Sequence, residues 1–104
     1  MKYRHYAPEK ELVLARTEEK ILEICKKGNV LFIGSSEMAR KVNSDSIVLG
    51  SKDDLFEVAR NLFPSFRKLD KSPYSMGVIE GFEEKGIGLA IMNRIVKATS
   101  GREA

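Results

Sequence analysis

The chain has few of the residues that build disulfides, metal sites and catalytic triads. Its 104 residues include one cysteine, one histidine and no tryptophan. A single cysteine excludes a disulfide within the chain and is typical of a reducing compartment. The histidine, His5, lies in the opening segment, so we expect neither a Ser-His-Asp triad nor a histidine-rich metal site. Cys25 falls on an apolar helix position, and we interpret it as a small core residue.

The chain also lacks a long apolar run and a strong excess of charge. No run approaches the roughly 20 apolar residues of a membrane-spanning helix, and no signal-peptide pattern is present. The net charge is only +3, and cations are scattered among acids along the predicted helices. Such scatter is typical of a solvated surface and argues against direct binding of tRNA or DNA. We therefore expect a soluble, cytoplasmic protein that does not contact a membrane.

Apolar runs that alternate with amphipathic segments predict the fold. With 42% hydrophobic residues, the chain can bury the core of one ordinary domain. The runs at 12–15, 30–34, 47–50 and within 76–82 are typical of buried parallel strands. Helices are predicted at 17–27, from Ser35 or Ser36 to about Val42, from Ser51 past Leu69, and at 86–98. This alternation predicts an α/β, Rossmann-like open parallel sheet of about four strands, with helices on both faces.

The longest predicted helix has one irregularity. Its apolar residues recur at steps of three and four and form one stripe, which consists of Leu55, Val58, Ala59, Leu62, Phe63, Phe66 and Leu69. The segment 51–54 resembles a capping box with Asp in place of the usual Glu, so we expect the helix to start at Ser51. Pro64 lies inside the stripe, and we expect it to kink the helix or to split it in two.

The first candidate ligand site is Gly34-Ser35-Ser36, which leads from the second strand into a helix. Open parallel sheets bind ligands at the carboxyl ends of their strands, and free amides at a helix start can hold a phosphate or a carboxylate. Alternatively, Ser35 and Ser36 only cap the helix and Gly34 provides the turn. We favour the capping interpretation, because the motif lacks the glycines of a full phosphate-binding fingerprint.

The second candidate ligand site contains Gly86 and Gly88, which follow the fourth strand. They form a G-x-G pattern, but Ala90 stands near the place of the third glycine of a nucleotide-binding motif. Glu83 and Glu84, just ahead, would repel a phosphate. We favour close packing of the helix on the sheet as the reason for these glycines. Neither candidate provides a complete active site, and we predict no catalytic residue within the chain.

The opening segment carries more functional side chains than a passive tail would. Tyr3, Arg4, His5 and Tyr6 follow one another directly, and Pro8 ends the run. Such a segment cannot form a core by itself. We interpret it as a linker that connects to something upstream and reaches into a site there.

Motifs at both ends of the chain resemble one known family. The segment 2–8, Lys-Tyr-Arg-His-Tyr-Ala-Pro, resembles the interdomain linker of long-form, two-domain L-threonylcarbamoyladenylate synthases (threonylcarbamoyl-AMP synthases). Ala59–Phe63, Leu69-Asp70 and Gly86–Arg94 resemble the signature of the accessory domain of those enzymes. The resemblance covers nearly the whole chain. It departs from the family at Pro64, where the family helix usually continues with alanine.

The resemblance implies an accessory domain without chemistry of its own. Residues 1–11 would be part of the interdomain linker, and residues 12–104 the Rossmann-like C-terminal domain. In the family, an N-terminal YrdC-type catalytic domain, absent from this chain, makes threonylcarbamoyl-AMP and pyrophosphate from threonine, bicarbonate and ATP. The product serves threonylcarbamoylation of adenosine 37 in tRNA. The parent enzyme would bind ATP with a divalent cation, whereas this chain alone would hold no cofactor and be inactive.

The resemblance also implies which residues meet the nucleotide. The linker is thought to cross the catalytic cleft, so Tyr3, Arg4, His5 and Tyr6 are the expected ATP-contacting residues. A tyrosine can stack on adenine, and an arginine can pair with a phosphate. The alternative is that Tyr3 and Tyr6 only anchor the linker against one of the domains.

Three functions follow from these expectations, in order of preference. The first is an accessory domain that places the linker as a lid over the ATP site. The second is a module that binds a small ligand, such as a nucleotide, at the carboxyl edge of the sheet. The third is a docking module for tRNA or for a partner protein of the downstream threonylcarbamoyl-transfer machinery.

Overall fold

Four strands and four helices alternate along the chain. The computed structural model describes residues 7–104, so Tyr3, Arg4, His5 and Tyr6 lie outside the described residues. The elements are β1 (Glu11–Ala15), α1 (Glu18–Lys26), β2 (Val30–Ser35), α2 (Ser36–Ala39), β3 (Ser46–Gly50), α3 (Leu55–Lys71), β4 (Met76–Glu80) and α4 (Ile87–Thr99). The predicted α/β fold with four strands is confirmed.

The strands form one parallel sheet in the order β1-β4-β2-β3. The first two connections step across the sheet in one direction, and the connection from β3 to β4 steps back. Right-handed crossovers then require α1 and α2 on one face and α3 on the other. The connections that leave β2 and β4 therefore turn to opposite faces, which creates a switch point at the centre of the carboxyl edge.

A separate core fills each face of the sheet. The larger core joins the stripes of α3 and α4 to the strands, and its buried members include Leu12, Ile33, Leu62, Phe66, Ile79 and Ile91. The smaller core lies under α1 and α2 and contains Ile21, Phe32, Met38 and Val78. Cys25 also belongs to this smaller core and is 8% exposed, as its interpretation as a core residue predicts.

Two of the predicted helix boundaries are wrong. The second helix ends at Ala39 rather than near Val42, although Val42 remains buried. The third helix begins at Leu55 rather than at Ser51. Its cap is Asp54, whose side chain accepts a hydrogen bond from the Glu57 amide at 3.2 Å. A turn precedes this cap, so the extra residues belong to the loop.

Pro64 does not split the third helix, which is continuous from Leu55 to Lys71. A proline in a helix leaves the carbonyl four residues earlier without its usual donor. Here that residue is Arg60, and both Arg60 and Pro64 are exposed. Because this side of the helix faces water, solvent can satisfy the carbonyl and the helix continues.

Candidate functional sites at the two edges of the sheet

Ser35, the middle residue of the first candidate site, is bound by other groups of the protein through both its hydroxyl and its amide. The Ser35 hydroxyl accepts a hydrogen bond from the Met38 amide at 3.1 Å and so caps α2. The Ser35 amide donates to Oε1 of Glu80 at 2.8 Å. These contacts support the capping interpretation of Ser35. One of the amides that a phosphate would need, that of Ser35, is bound to a carboxylate of the chain itself.

Glu80 is the central side chain of the carboxyl edge. It ends β4, is only 4% exposed, and its Oε2 lies 3.2 Å from Nζ of Lys52. Gly34 makes room for it, because a Cβ at Gly34 would lie 2.6 Å from Oε1 of Glu80 and 2.4 Å from the Phe32 ring. Sequence reasoning missed Glu80. The available signal was a carboxylate at the end of a buried strand, beside a glycine on the neighbouring strand.

Glu37, in the first turn of α2, ties this helix to the loop after β3. Its Oε2 accepts a hydrogen bond from the Ser51 hydroxyl at 2.6 Å, and its Oε1 accepts one from the Lys52 amide at 3.0 Å. These donors, the Ser51 hydroxyl above all, lower the pKa of Glu37 from 4.5 to about 2. Glu37 therefore stays ionised and acts as an internal partner for the loop.

A small polar cleft opens between these groups. Its volume is about 120 Å³, below the roughly 300–1,000 Å³ of typical small-molecule sites. The lining residues are Arg16, Glu18, Ile21, Glu37, Met38, Lys41, Lys52, Glu80 and Gly81. The lining cations pair with acids of the chain: Lys41 with Glu18 at 3.1 Å, and Arg16 with Glu103 at 2.8 Å. A nucleotide does not fit this cleft without rearrangement.

Backbone geometry explains the two glycines of the second candidate site. Gly86 has a φ of 56°, a conformation that favours glycine. A Cβ at Gly88 would lie 1.9 Å from the Glu83 carbonyl oxygen, so only glycine fits there. The close neighbour of Gly88 is thus the backbone of the preceding loop. This corrects the predicted reason, which was packing of the helix on the sheet.

At the opposite, amino edge of the sheet, the segment before β1 is held by the end of α3. The amide of Glu9 donates to both carboxylate oxygens of Asp70 at 3.0 Å, and the amide of Lys10 donates to Oδ1 at 3.0 Å. Nζ of Lys10 donates to the carbonyls of Ser72 at 2.5 Å and Tyr74 at 2.7 Å. Sequence reasoning singled out Leu69-Asp70 only as a motif and did not anticipate these contacts.

The loop between α3 and β4 connects this anchor to its neighbours. The Tyr74 hydroxyl donates to the carboxylate of Asp45, which raises the pKa of Tyr74 above its ordinary value. The Ser75 amide donates to Oδ1 of Asn29 at 3.3 Å, and the Ser75 hydroxyl donates to the Asn29 carbonyl at 3.3 Å. The loops that precede β2, β3 and β4 are therefore joined at one edge.

The five predicted site residues that the structure describes lie at one edge of the sheet. Gly34, Ser35 and Ser36 lie at the carboxyl edge, as do Gly86 and Gly88, whereas the chain enters the sheet at the amino edge. Within 7–104, no three His, Cys, Asp or Glu side chains are grouped as a metal ion would require. No helix in that range is long and apolar enough to cross a bilayer.

Comparisons with known proteins give a consistent result. A family model described as "Threonylcarbamoyl-AMP synthase, C-terminal domain" matches residues 1–100. The threonylcarbamoyl-AMP synthase of Pyrococcus abyssi is 39% identical over 113 residues, which cover 98% of this chain and 32% of the relative. The chain thus spans about a third of the length of this curated relative.

Two solved structures share the fold. The crystal structure of Pyrococcus abyssi Sua5 complexed with L-threonine has a TM-score of 0.79 and is 36% identical, covering 99% of this chain and 32% of that chain. The crystal structure of a C-terminal Sua5 domain from Pyrococcus horikoshii has a TM-score of 0.67 and is 35% identical. The match covers 94% of this chain and 100% of the Pyrococcus horikoshii chain. The Pyrococcus horikoshii domain has therefore been crystallised by itself.

Proposed function

Since the chain belongs to the family of threonylcarbamoyl-AMP synthase C-terminal domains, we propose that it is the accessory domain of such a synthase and holds the interdomain linker as a lid. The parent enzyme makes threonylcarbamoyl-AMP from threonine, bicarbonate and ATP, for threonylcarbamoylation of adenosine 37 in tRNA. The catalytic domain, which precedes the linker, performs this chemistry with ATP and a divalent cation. The C-terminal domain places the linker and adds no reacting group.

The anchored segment before β1 is the observation that carries this proposal. A lid needs one fixed end, and Asp70 holds the amides of Glu9 and Lys10 at 3.0 Å. Pro8 is buried and Ala7 packs against the larger core, so the fixed end extends to the first described residues. Tyr3, Arg4, His5 and Tyr6 directly precede this end, where a lid would carry its contacts with ATP.

The occupied carboxyl edge supports a role without chemistry. A general base needs a free lone pair near its substrate. The carboxylate of Glu80 instead binds the Ser35 amide and Lys52, and that of Glu37 binds the Ser51 hydroxyl. These contacts engage both acids within the chain and stabilise the loops around the edge.

Lid closure has a chemical purpose in this reaction. A carbamate intermediate is vulnerable to hydrolysis, and a closed site excludes water. Tyr3 or Tyr6 would stack on the adenine or donate a hydroxyl, while Arg4 would pair with a phosphate. Opening of such a lid can also limit turnover, because product leaves only from the open state.

The proposal is tested by threonine-dependent pyrophosphate release in the full-length enzyme. We expect the double variant Tyr3→Ala/Arg4→Ala to lose about 10²-fold in kcat/KM, because the nucleotide is no longer enclosed and oriented. Arg60→Ala, an exposed arginine on α3, is the matched control and should behave as wild type. Full activity of the double variant, or of an enzyme that lacks residues 12–104, would contradict the proposal.

A further inference from the structure

We infer that Asp70 and Lys10 form a clamp that fixes the direction in which the interdomain linker leaves the domain, so that both are positioning residues for the synthase reaction. The linker clamp consists of these two side chains with the amides of Glu9 and Lys10 and the carbonyls of Ser72 and Tyr74. This inference rests on the proposed function and adds the groups that aim the lid.

Asp70 orients the backbone of the linker through consecutive amides. Both of its carboxylate oxygens lie 3.0 Å from the Glu9 amide, and Oδ1 also lies 3.0 Å from the Lys10 amide. Hydrogen bonds to an ionised acceptor are roughly twice as strong as neutral ones. Two successive amides that point at one carboxylate fix the orientation of the peptide between them, and hence the direction of the chain that precedes it.

The position of Asp70 is unfavourable for its own helix. It lies in the last turn of α3, where the carbonyls carry partial negative charge and a carboxylate is repelled. Lys68 and Lys71, in the same turn, are the residues that a helix end favours. Helix stability therefore does not explain an acid here, whereas the linker amides do.

Lys10 completes the clamp from the linker side. Its ammonium group donates to the carbonyl of Ser72, the C-cap of α3, and to that of Tyr74. A cation at the C-terminal end of a helix satisfies carbonyls that have no partner within the helix. The linker therefore caps α3 through Lys10, and α3 binds the linker through Asp70. These reciprocal contacts join the linker and α3 into one unit.

The base of the clamp is braced by the neighbouring loops. Tyr74, whose carbonyl accepts from Lys10, donates its hydroxyl to Asp45 in the loop before β3. Ser75 binds Asn29 in the loop before β2. A site holds its geometry when its supporting residues are themselves held. The direction of the linker is thereby tied to the whole amino edge.

The test uses the full-length enzyme with Asp70→Ala, Asp70→Asn and Lys10→Met. One readout is mass-spectrometric hydrogen exchange of the peptide that contains Glu9 and Lys10. The other is the KM for ATP in threonine-dependent pyrophosphate release. KM does not depend on how much enzyme is folded, so it separates positioning from a general loss of structure. Asp53→Ala and Lys71→Met, both exposed, are the matched controls.

We expect Asp70→Ala to speed exchange at Glu9 and Lys10 by about tenfold or more, because the amides lose their acceptor. The KM for ATP should rise about tenfold, since a misplaced lid encloses the nucleotide poorly. Asp70→Asn should give an exchange rate and a KM between those of wild type and Asp70→Ala, because its amide oxygen still accepts one hydrogen bond. Lys10→Met should also raise the KM for ATP. The two controls should match wild type in both readouts.

The outcomes distinguish this inference from the proposed function. The clamp is refuted if Asp70→Ala leaves both the exchange and KM unchanged while Tyr3→Ala/Arg4→Ala abolishes activity. Faster exchange with an unchanged KM also overturns it, because the anchor would then be structural only. If Tyr3→Ala/Arg4→Ala has no effect, the proposed function fails first, whatever happens at Asp70. If Asp70→Ala does not fold, Asp70→Asn and Lys10→Met decide.

Discussion

At the residue scale, hydrogen bonds and ion pairs to two acids, Glu80 and Glu37, hold the carboxyl edge together. Glu80 is buried because the Ser35 amide and Lys52 bind its carboxylate, and because Gly34 leaves space for it. An unpaired buried carboxylate would be costly. The glycine that first suggested a phosphate site thus accommodates a negative charge supplied by the chain.

Glu37 gives a pH-dependent prediction. Its pKa is lowered from 4.5 to about 2, so its contacts contribute stability that is fully present above pH 4.5 and lost as pH falls towards 2. We expect the unfolding free energy of wild type to exceed that of Glu37→Gln at pH 6, and this difference to shrink between pH 4.5 and 2. Urea unfolding across this pH range measures it.

Ser51→Ala is the companion variant, because the Ser51 hydroxyl is the main cause of the lowered pKa. Its removal should move the pH at which this stability is lost upwards, towards the ordinary value for a glutamate. The prediction is contradicted if wild type and Glu37→Gln differ in unfolding free energy by the same amount from pH 6 to pH 2. The Ser51 and Lys52 contacts would then not favour the ionised form of Glu37.

At the element scale, the sequence predicted the strands better than the helix starts. The strand runs were placed within about two residues, because a buried parallel strand needs a continuous apolar stretch. Ser51 and Asp54 are both good capping residues. Asp54 is the cap because the residues from Ser51 to Asp54 form a turn before α3. The Ser51 hydroxyl instead binds Glu37, which lies on a different helix. No local pattern records such a contact.

The C-terminal tail, 102–104, is an element that sequence reasoning missed altogether. It pairs with the outer side of β1: the Leu14 amide donates to the Arg102 carbonyl at 3.0 Å, and the Ala104 amide donates to the Leu14 carbonyl at 2.8 Å. Its polar residues show no strand pattern. The tail matters because an uncovered edge strand can pair with another chain.

Removal of residues 102–104 should therefore increase self-association of the domain. The truncated chain loses both hydrogen bonds to Leu14 and the ion pair between Arg16 and Glu103. We expect a small loss of stability, about 1–2 kcal/mol, together with concentration-dependent dimers or aggregates in analytical ultracentrifugation. Arg16→Ala removes the ion pair but keeps the tail, and should stay like wild type. A truncated chain that does not self-associate would show that the tail is dispensable as an edge cover.

At the scale of the whole molecule, the two edges of the sheet have different tasks. β1 spans five residues from Glu11 to Ala15, about 13 Å along the strand, and the linker clamp and Glu80 lie at its opposite ends. The sequence predicted a linker before β1 and candidate sites after β2 and β4, but it identified neither Glu80 nor the clamp contacts, because these join residues far apart in the chain. Contact between the opening segment and ATP stays a prediction, because this segment precedes the described residues.

This separation predicts that the isolated domain does not bind ATP. Residues 7–104 lack the linker residues that would contact the nucleotide, and the Ser35 amide at the other edge is already bound to Glu80. Isothermal titration of this domain with magnesium-ATP should give no binding up to about 1 mM, an affinity weaker than about −4 kcal/mol. Circular dichroism of the same sample checks that the domain is folded.

Glu80→Gln is the informative comparison for that titration, because it removes the negative charge and keeps the shape of the side chain. If wild type binds no ATP but the variant does, the carboxylate itself blocks an anion site that the fold would otherwise offer. Binding by wild type that Ser35→Ala abolishes would instead make the carboxyl edge a ligand site and favour the small-ligand function. If neither protein binds, Glu80 serves the fold alone, and the contribution of this domain to the nucleotide comes only through its amino edge.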